Sequence, residues 1–425
     1  MKKSLILLLF ALLVLSSVGI VSAETVLDVW LVDWTEDTQK LFEEELIPEW
    51  NKLHPDIKIN MTWVEWSKYD EKLLTAFAGN TAPDIFQTGA EYAWQLATKK
   101  QAIPIDHYIA NYPEKDDFYE GAWGVTFWEG KQYGVPYLTA PRANIYRMDI
   151  LNEVGITEVP KTWEDVLEAA SKSTIRRGTR MMRQGMGSGD WQEFIQLLLA
   201  AGGKFITEDG TTDVNSPEGR AALQYMVDRF NAVSPPGTAQ LSQSPIPHFA
   251  TGKQVITFGN QGPINQVQKY APDKLDSLAV GVTVPGGEKY KVSDPSRVRG
   301  VSLTFTDWLA ISTQCEDPDA AWEFVKFLIT SENIAKYNEA TWFMIPPRRS
   351  AAENAYWLQL GPLQEFLEVF DEYGYAFPAF PETARVQKVM GDNIELALNQ
   401  KITVDEALKA MEEGINAIWA EALGK

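Results

Sequence analysis

The sequence predicts an α/β protein built on parallel strands with helical crossovers. Three observations carry that expectation. The composition is ordinary for a globular chain, 45% hydrophobic and 23% charged, which excludes collagen, coiled coil and wholesale disorder. The length of 425 residues corresponds to two or three domains at roughly 100–200 residues each. From residue 24 onward, strand-like and helix-like segments alternate, as they do along a parallel sheet.

Each element has a local reason. Segment 24–31 is rich in β-branched and apolar residues and reads as a strand. Segment 35–53 reads as a helix, because Leu41, Phe42, Leu46, Ile47 and Trp50 recur at i, i+3/i+4 spacing. Thr35 is its expected N-cap, and Asp37 adds favourable charge at its start. His54-Pro55 ends it, since the residue before proline avoids the α region. A second strand follows at 57–64 and a second helix at 69–78, stopped by Gly79-Asn80. A third strand begins within 82–86. Further on, 163–171, 190–201, 217–230, 318–330 and 404–423 read as helices. Segments 277–284 and 304–312 read as strands, and 234–247 as a proline-rich loop. The sequence holds no internal repeat.

Charge and cysteine content narrow the chemistry. Lys plus Arg is 38 against 58 Asp plus Glu, a net charge of −20, which repels a phosphate backbone and argues against nucleic acid. The single cysteine, Cys315, excludes an intramolecular disulfide and a cysteine-based zinc cluster. His54, His107 and His248 are too scattered for a histidine-rich metal site, so no metal and no cofactor is expected. Aromatics are plentiful, with 15 Trp, 15 Tyr and 19 Phe.

Residues 1–23 read as an export signal. Lys2 and Lys3 are followed by an apolar run from Leu5 to Leu15 and by the small-residue cleavage site Val21-Ser22-Ala23. The run is shorter than the ~20 residues that span a bilayer. No cysteine stands at the cleavage site to carry a lipid. The expected location is therefore periplasmic or extracellular.

Catalytic signatures are weak. HExxH and G-x-S-x-G are absent, and Asp106-His107 are sequence neighbours rather than a triad pair. Gly185–Asp190 departs from the dinucleotide fingerprint at Asp190 and reads as a flexible turn before a helix. Asp209–Asp213 lacks calcium-loop spacing and reads as a hairpin turn. Arg176, Arg177, Arg180 and Arg183 form a basic stretch in an acidic chain, either a solvated face or a docking patch. A glycoside hydrolase, which needs two carboxylates about 5–9.5 Å apart beside aromatic platforms, is not excluded by composition.

Several stretches resemble the extracellular solute-binding proteins of sugar ABC importers, the group that includes the maltose-binding proteins. They are AGNTAPDI (78–85), WEGKQYGVP (128–136), IYRMDIL (145–151), VPKTWED (159–165), VNSPEG (214–219), DPDAAWEF (317–324) and TVDEAL (403–408). They stand in the family's order behind a signal segment. Departures exist: Arg147 replaces the usual Asn, and Ile264 stands where a stacking Trp is usual, which speaks against a maltodextrin.

The resemblance implies a two-lobed periplasmic binding protein of type II-like form, with two parallel or mixed sheets flanked by helices. About three crossing segments would form its hinge, near 138–144, 300–308 and 345–350. One lobe would hold 24–137 plus 309–344, the other 145–299 plus 351–425. It would act as a monomer that captures a sugar or polyol and delivers it to membrane permease subunits of an ABC importer, without catalysis. A secreted carbohydrate-active enzyme, or a binding protein of the same fold for a polyamine or another small solute, are the competing readings.

A sugar ring needs flat aromatic surfaces for its C–H faces and fixed donors and acceptors for its hydroxyl rim. Such groups converge at the carboxyl ends of parallel strands. Trp34 follows the first strand, Glu65 and Trp66 the second, and Gln87 and Glu91 the third. Asp190 and Trp191 open a helix, and Asn260 and Gln261 precede Gly262-Pro263. Tyr137, Trp308, Trp342 and Arg348 lie near the expected crossings. Trp30, Trp50, Trp123, Trp163, Trp322 and Trp419 fall within strand or helix patterns and are expected in the core.

Overall fold

The computed structural model describes residues 25–424, apart from 236, 240, 288 and 360 and the side chain of Glu91. The export signal expected at 1–23 and the side chain of Glu91 lie outside the described residues. Strands run in the order β1 (Thr25–Val32), β2 (Ile57–Val64), β3 (Ile85–Thr88), β4 (Val135–Pro141), β5 (Ala143–Arg147), β6 (Ile175–Arg177), β7 (Arg180–Met186), β8 (Gln254–Gly259), β9 (Leu278–Gly281), β10 (Ser302–Ile311) and β11 (Gly374–Ala376). The longer helices are α1 (36–53), α2 (Trp66–Ala78), α3 (Trp163–Ser173), α4 (Trp191–Ala200), α5 (Pro217–Val233), α6 (Gly262–Tyr270), α7 (Pro318–Leu328), α8 (Ser331–Ala340), α9 (Gly361–Tyr373), α10 (Thr383–Leu398) and α11 (Val404–Leu423).

The strands form two separate main sheets. The first has the order β11-β10-β3-β1-β2, with β4 also paired to β10. β1 runs parallel to β2 from Thr25↔Ile57 to Val32↔Val64, and parallel to β3. β10 is antiparallel to β3 and β4, so this sheet is mixed. The second sheet has the order β9-β5-β8-β7-β6. Its central pair, β8 and β7, is parallel, and its remaining pairings are antiparallel.

Local chemistry explains the boundaries. Thr35 accepts from the Thr38 N–H and starts α1. Thr162 with Asp165, and Thr403 with Glu406, form reciprocal capping boxes that satisfy two orphan donors each at the starts of α3 and α11. The turn before α4 requires Gly189: its φ is +80°, and a Cβ there would run into the Glu193 carboxylate. Residues 207–211 form a hairpin turn, with the Ile206↔Thr212 bridge closing it. Trp50, Trp163, Trp322 and Trp419 are buried, while Trp30 and Trp123 pack at the edges of the core.

The chain leaves the first sheet for the second between β4 and β5, at 141–143, and re-enters the first at β10. Segment 345–350, expected as the third crossing, stays beside the first sheet. Thr139 N–H donates to the Ile345 carbonyl, and Arg348 is bridged to Phe118 and ion-paired with Glu114 and Asp117. The chain reaches the second sheet only with α9, where Glu365 accepts from the Val280 N–H of β9. It then returns through β11, which pairs with the start of β10.

Candidate functional site

A cavity of about 420 Å³ lies where the two sheets face each other. Trp34 and Trp66 enter it from the carboxyl ends of the parallel strands β1 and β2. Asn260 enters after β8 and Trp191 from the start of the helix that follows β7, the parallel pair of the second sheet. Each sheet thus offers the ends of parallel strands to one space, where loops and helix starts converge. Phe305 and Asp307 of β10, Leu138 and Ala140 of β4, and Arg142 between the sheets form its floor. Thr341, Trp342 and Met344 after α8, with Gln192 and Gln387, complete the lining.

The aromatics are arranged in two groups. Trp34 stacks on Trp66 at 5.5 Å and 21°, and Trp342 meets Trp34 edge-on at 5.8 Å. Trp66 is 37% exposed and Trp342 55% exposed, so both offer apolar surface to a guest. Opposite them, Trp191 sits edge-on to Phe305 at 5.9 Å and to Phe377 at 5.9 Å. The Arg142 guanidinium lies over the Phe305 ring at 4.5 Å and donates to Gln192 Oε1 at 2.7 Å. The cation is thereby held over an aromatic face.

A polar layer backs the cavity. Gln87 Nε2 donates to Asp307 Oδ2 at 2.8 Å, while Gln87 Oε1 accepts from the Val32 N–H and the Tyr337 hydroxyl. Burial drives the Tyr337 phenol far above its ordinary pKa, the neighbouring Asp307 charge adds to this, and the bond to Gln87 opposes it. Behind Trp191, the buried Arg229 grips both carboxylate oxygens of Glu193 and also donates to the Ser188 carbonyl. Burial opposes the Arg229 charge, but the Glu193 carboxylate outweighs it and raises its pKa. This pair anchors the first turn of α4 and so holds Trp191 and Gln192 in place.

The family model described as "Bacterial extracellular solute-binding protein" matches residues 33–335. The chain belongs to this family. Among its relatives, the arabinooligosaccharide-binding protein of Halalkalibacterium halodurans is 24% identical over 412 residues, covering 91% of this chain and 89% of that protein. The structure of the sugar-binding protein MalE from Xanthomonas citri superposes with a TM-score of 0.79 at 20% identity, covering 93% of this chain and 98% of that one. An ABC transporter solute-binding protein from Thermotoga lettingae, bound with α-D-tagatose, gives 0.74 at 20% identity, covering 93% and 100%. The two-lobed α/β fold of these solute-binding proteins is the fold of this chain. No helix among the described residues is long and apolar enough to cross a membrane.

In this solute-binding protein, five positions singled out in the sequence line the cavity: Trp34, Trp66, Trp191, Asn260 and Trp342. The other described candidates stand elsewhere. Trp308 is 0% exposed and donates its indole N–H to the Gly89 carbonyl. Tyr137 is fully buried and stacks on Tyr337 at 4.0 Å. Alternation along strands explains both: Leu138 and Ala140 of β4, and Phe305 and Asp307 of β10, take the cavity face, and their neighbours turn away. Gln87 is one layer back. Arg348, 3% exposed, is spent on Glu114, Asp117, the Tyr112 hydroxyl and the Ile329 carbonyl. Glu65 is exposed and paired with Lys68 at 2.5 Å. Asp190 caps α4 by accepting from the Gln192 and Glu193 N–H groups. Gln261 is buried against the Met344 sulfur.

Arg142, Gln192, Phe305, Asp307, Thr341, Met344 and Gln387 were not singled out. Position at an expected crossing, 138–144 for Arg142 and 300–308 for Phe305 and Asp307, is the local signal that could have found three of them.

Proposed function

We propose that this protein captures an uncharged sugar or polyol in the cavity between the sheets and delivers it to membrane permease subunits of an ABC importer. The observation that carries this is the convergence of four tryptophans, Trp34, Trp66, Trp191 and Trp342, with amide and guanidinium groups on one cavity. Indole faces suit the C–H faces of sugar rings. Asn260, Gln192, Gln387 and Arg142 suit hydroxyls, whose burial without partners costs about 1–3 kcal/mol each. The relatives named above as arabinooligosaccharide-binding, sugar-binding or tagatose-bound support the same ligand class.

The binding reading is favoured over a hydrolase by the carboxylates. Among the described lining residues Asp307 is the one acid, and it already accepts from Gln87. A retaining or inverting hydrolase needs a pair. A polyamine would call for several carboxylates facing its ammonium groups.

We assign the lobes by sheet, one comprising roughly 25–141 with 302–354 and the other 143–299 with 361–373 and 383–424. The lobes would close over the ligand, shifting population from open to closed. Export follows from the reading of 1–23 as a cleaved signal, and the protein would work as a monomer. The test is a thermal-shift screen of sugars, polyols and polyamines, followed by calorimetric titration and product analysis. A ligand-dependent rise in melting temperature for a sugar or polyol, with the ligand recovered intact, is expected. Silence across the sugars and polyols, or chemical turnover, overturns the proposal.

A further inference from the structure

Beside the cavity, a second hollow of about 580 Å³ runs between α1 and α8. Its volume and that of the first both fall within the ~300–1,000 Å³ of small-ligand sites. Trp342 lines both. The ring contact of Trp342 is edge-on, with Trp34. With 55% of the residue exposed, this leaves indole surface open at the junction of the two spaces.

Backbone conformation puts the indole there. Trp342 and Phe343 have φ of +53° and +54°. Two consecutive bulky residues in the left-handed region are strained and persist only where their surroundings hold them. Asn265 Nδ2 donates to the Trp342 carbonyl, the Phe343 N–H to the Glu339 carbonyl and the Met344 N–H to the Asn338 carbonyl. At the outer rim, the Tyr356 hydroxyl donates to Glu339 at 2.8 Å, and Tyr356 is itself 61% exposed. The opposite wall is α1, whose π-helical turn Phe42–Leu46 displays Glu44 and Glu45. Such turns are frequent at functional sites.

The walls mix signs. Lys40 and Lys336 supply donors, and Asp37, Glu44, Glu45 and Glu339 supply acceptors. Lys336 is held between Glu45 at 3.4 Å and Glu332 at 2.9 Å. A hydroxyl both donates and accepts, so a wall offering both roles suits it. A polyanion would meet the carboxylates and a polycation the ammonium groups.

We propose that the hollow between α1 and α8 is an outer subsite for further rings of an oligosaccharide whose first rings lie in the cavity, with Trp342 the shared platform at the junction. This rests on the sugar reading of the cavity and narrows it, because it makes the ligand a chain that extends out of the cleft rather than a single sugar or polyol.

The test is calorimetric titration of arabino- and malto-oligosaccharides of two, three, four and five residues into the wild type and into the double variant Glu44→Ala/Glu339→Gln. Neither substituted residue lines the cavity, and an unchanged melting temperature checks folding. The wild type is expected to tighten by roughly tenfold or more from the dimer to longer chains of the series it accepts. The variant is expected to bind the dimer as the wild type does and to lose most of that gain. Affinity that is flat with length, a gain that survives in the variant, or binding of single sugars and polyols alone overturns the outer subsite and leaves the cavity reading intact. No binding by any sugar or polyol, dimers included, overturns both.

Discussion

Asn265 donates from its side-chain nitrogen to the carbonyl of Trp342 at 2.5 Å. The bond links α6, which follows β8 of the second sheet, to the turn after α8, which packs on α1 beside the first. Next to it, Gln261 Nε2 meets the Met344 sulfur, so two side chains from the second half hold the strained turn that presents Trp342. The link lies at the mouth of the cavity, where closure of one lobe on the other would make or break it.

Asn265→Ala is therefore expected to weaken ligand binding by about 0.5–1.5 kcal/mol, the net value of one hydrogen bond. The population competent to bind falls, and the apparent dissociation constant rises accordingly. Titration calorimetry measures the change, and small-angle scattering should show a larger radius for the ligand-free variant. An unchanged constant would remove this bond from closure.

Trp34→Ala is expected to weaken binding by ~1–3 kcal/mol while leaving the fold intact, since Trp34 is only partly buried and its stacking partner Trp66 is at the surface. Equal affinity in variant and wild type would take Trp34 out of the site.

Arg348→Ala should separate stability from binding. The guanidinium is buried, and removing it leaves Asp117 and the Tyr112 hydroxyl short of a partner. Breaking a fully buried pair costs about 3–5 kcal/mol. Glu114, the other partner, is half exposed and regains water, so the expected loss is roughly 2–3 kcal/mol by urea unfolding. Sugar affinity should be unchanged, and a large loss of affinity in a folded variant would put Arg348 back in the site.

Acid should find the same cluster. Burial pushes the Asp117 carboxyl up, but hydrogen bonds from Ser350 and Arg348 together outweigh it and hold it below its ordinary value of 3.8. A depressed folded-state pKa means stability that is fully present above the unfolded value and is lost as pH falls through the folded one. The wild type should thus lose stability below about pH 4, where Asp117→Asn should show less further loss. A stability gap between the two that stays constant from pH 6 to pH 2 would contradict this.

Cys315 should be inert in the folded state. Burial is the main cause that raises its thiol to about 12, with the Asp84 carboxylate adding to it. The thiolate is the reactive form, so alkylation at pH 8 should be slow until denaturant is added. Rapid labelling of the native protein would refute the assignment.

Much of the architecture was legible locally. The start of α1 at Thr35, the stop at His54-Pro55 and α11 at 404–423 follow from caps, proline and periodicity within the segment itself. Helices α6, α8, α9 and α10 were not read. In α6 the apolar face is short, with Ile264 and Val267 as its buried residues, but α9 and α10 carry regular apolar faces, Leu363, Phe366 and Phe370 and Val386, Met390 and Ile394, which local periodicity could have shown. Trp34 and Trp66 were legible as cavity residues because both follow strands of a parallel pair, a position that chain order alone specifies.

Read alone, the chain carries the α/β class, the family and the strand ends that line the cavity, because caps, periodicity and motif order act over a few residues. Only the tertiary structure decided which neighbour of a pair turns inward. On β10 it is Phe305 and Asp307 rather than Trp308, beside a register shift between Asp307 and Trp308. Only it brought Arg142 onto Phe305 and Asn265 onto Trp342. Those choices depend on strand pairing and lobe contact across long stretches of chain, where a one-residue change of register reverses every side chain, and no local pattern records them.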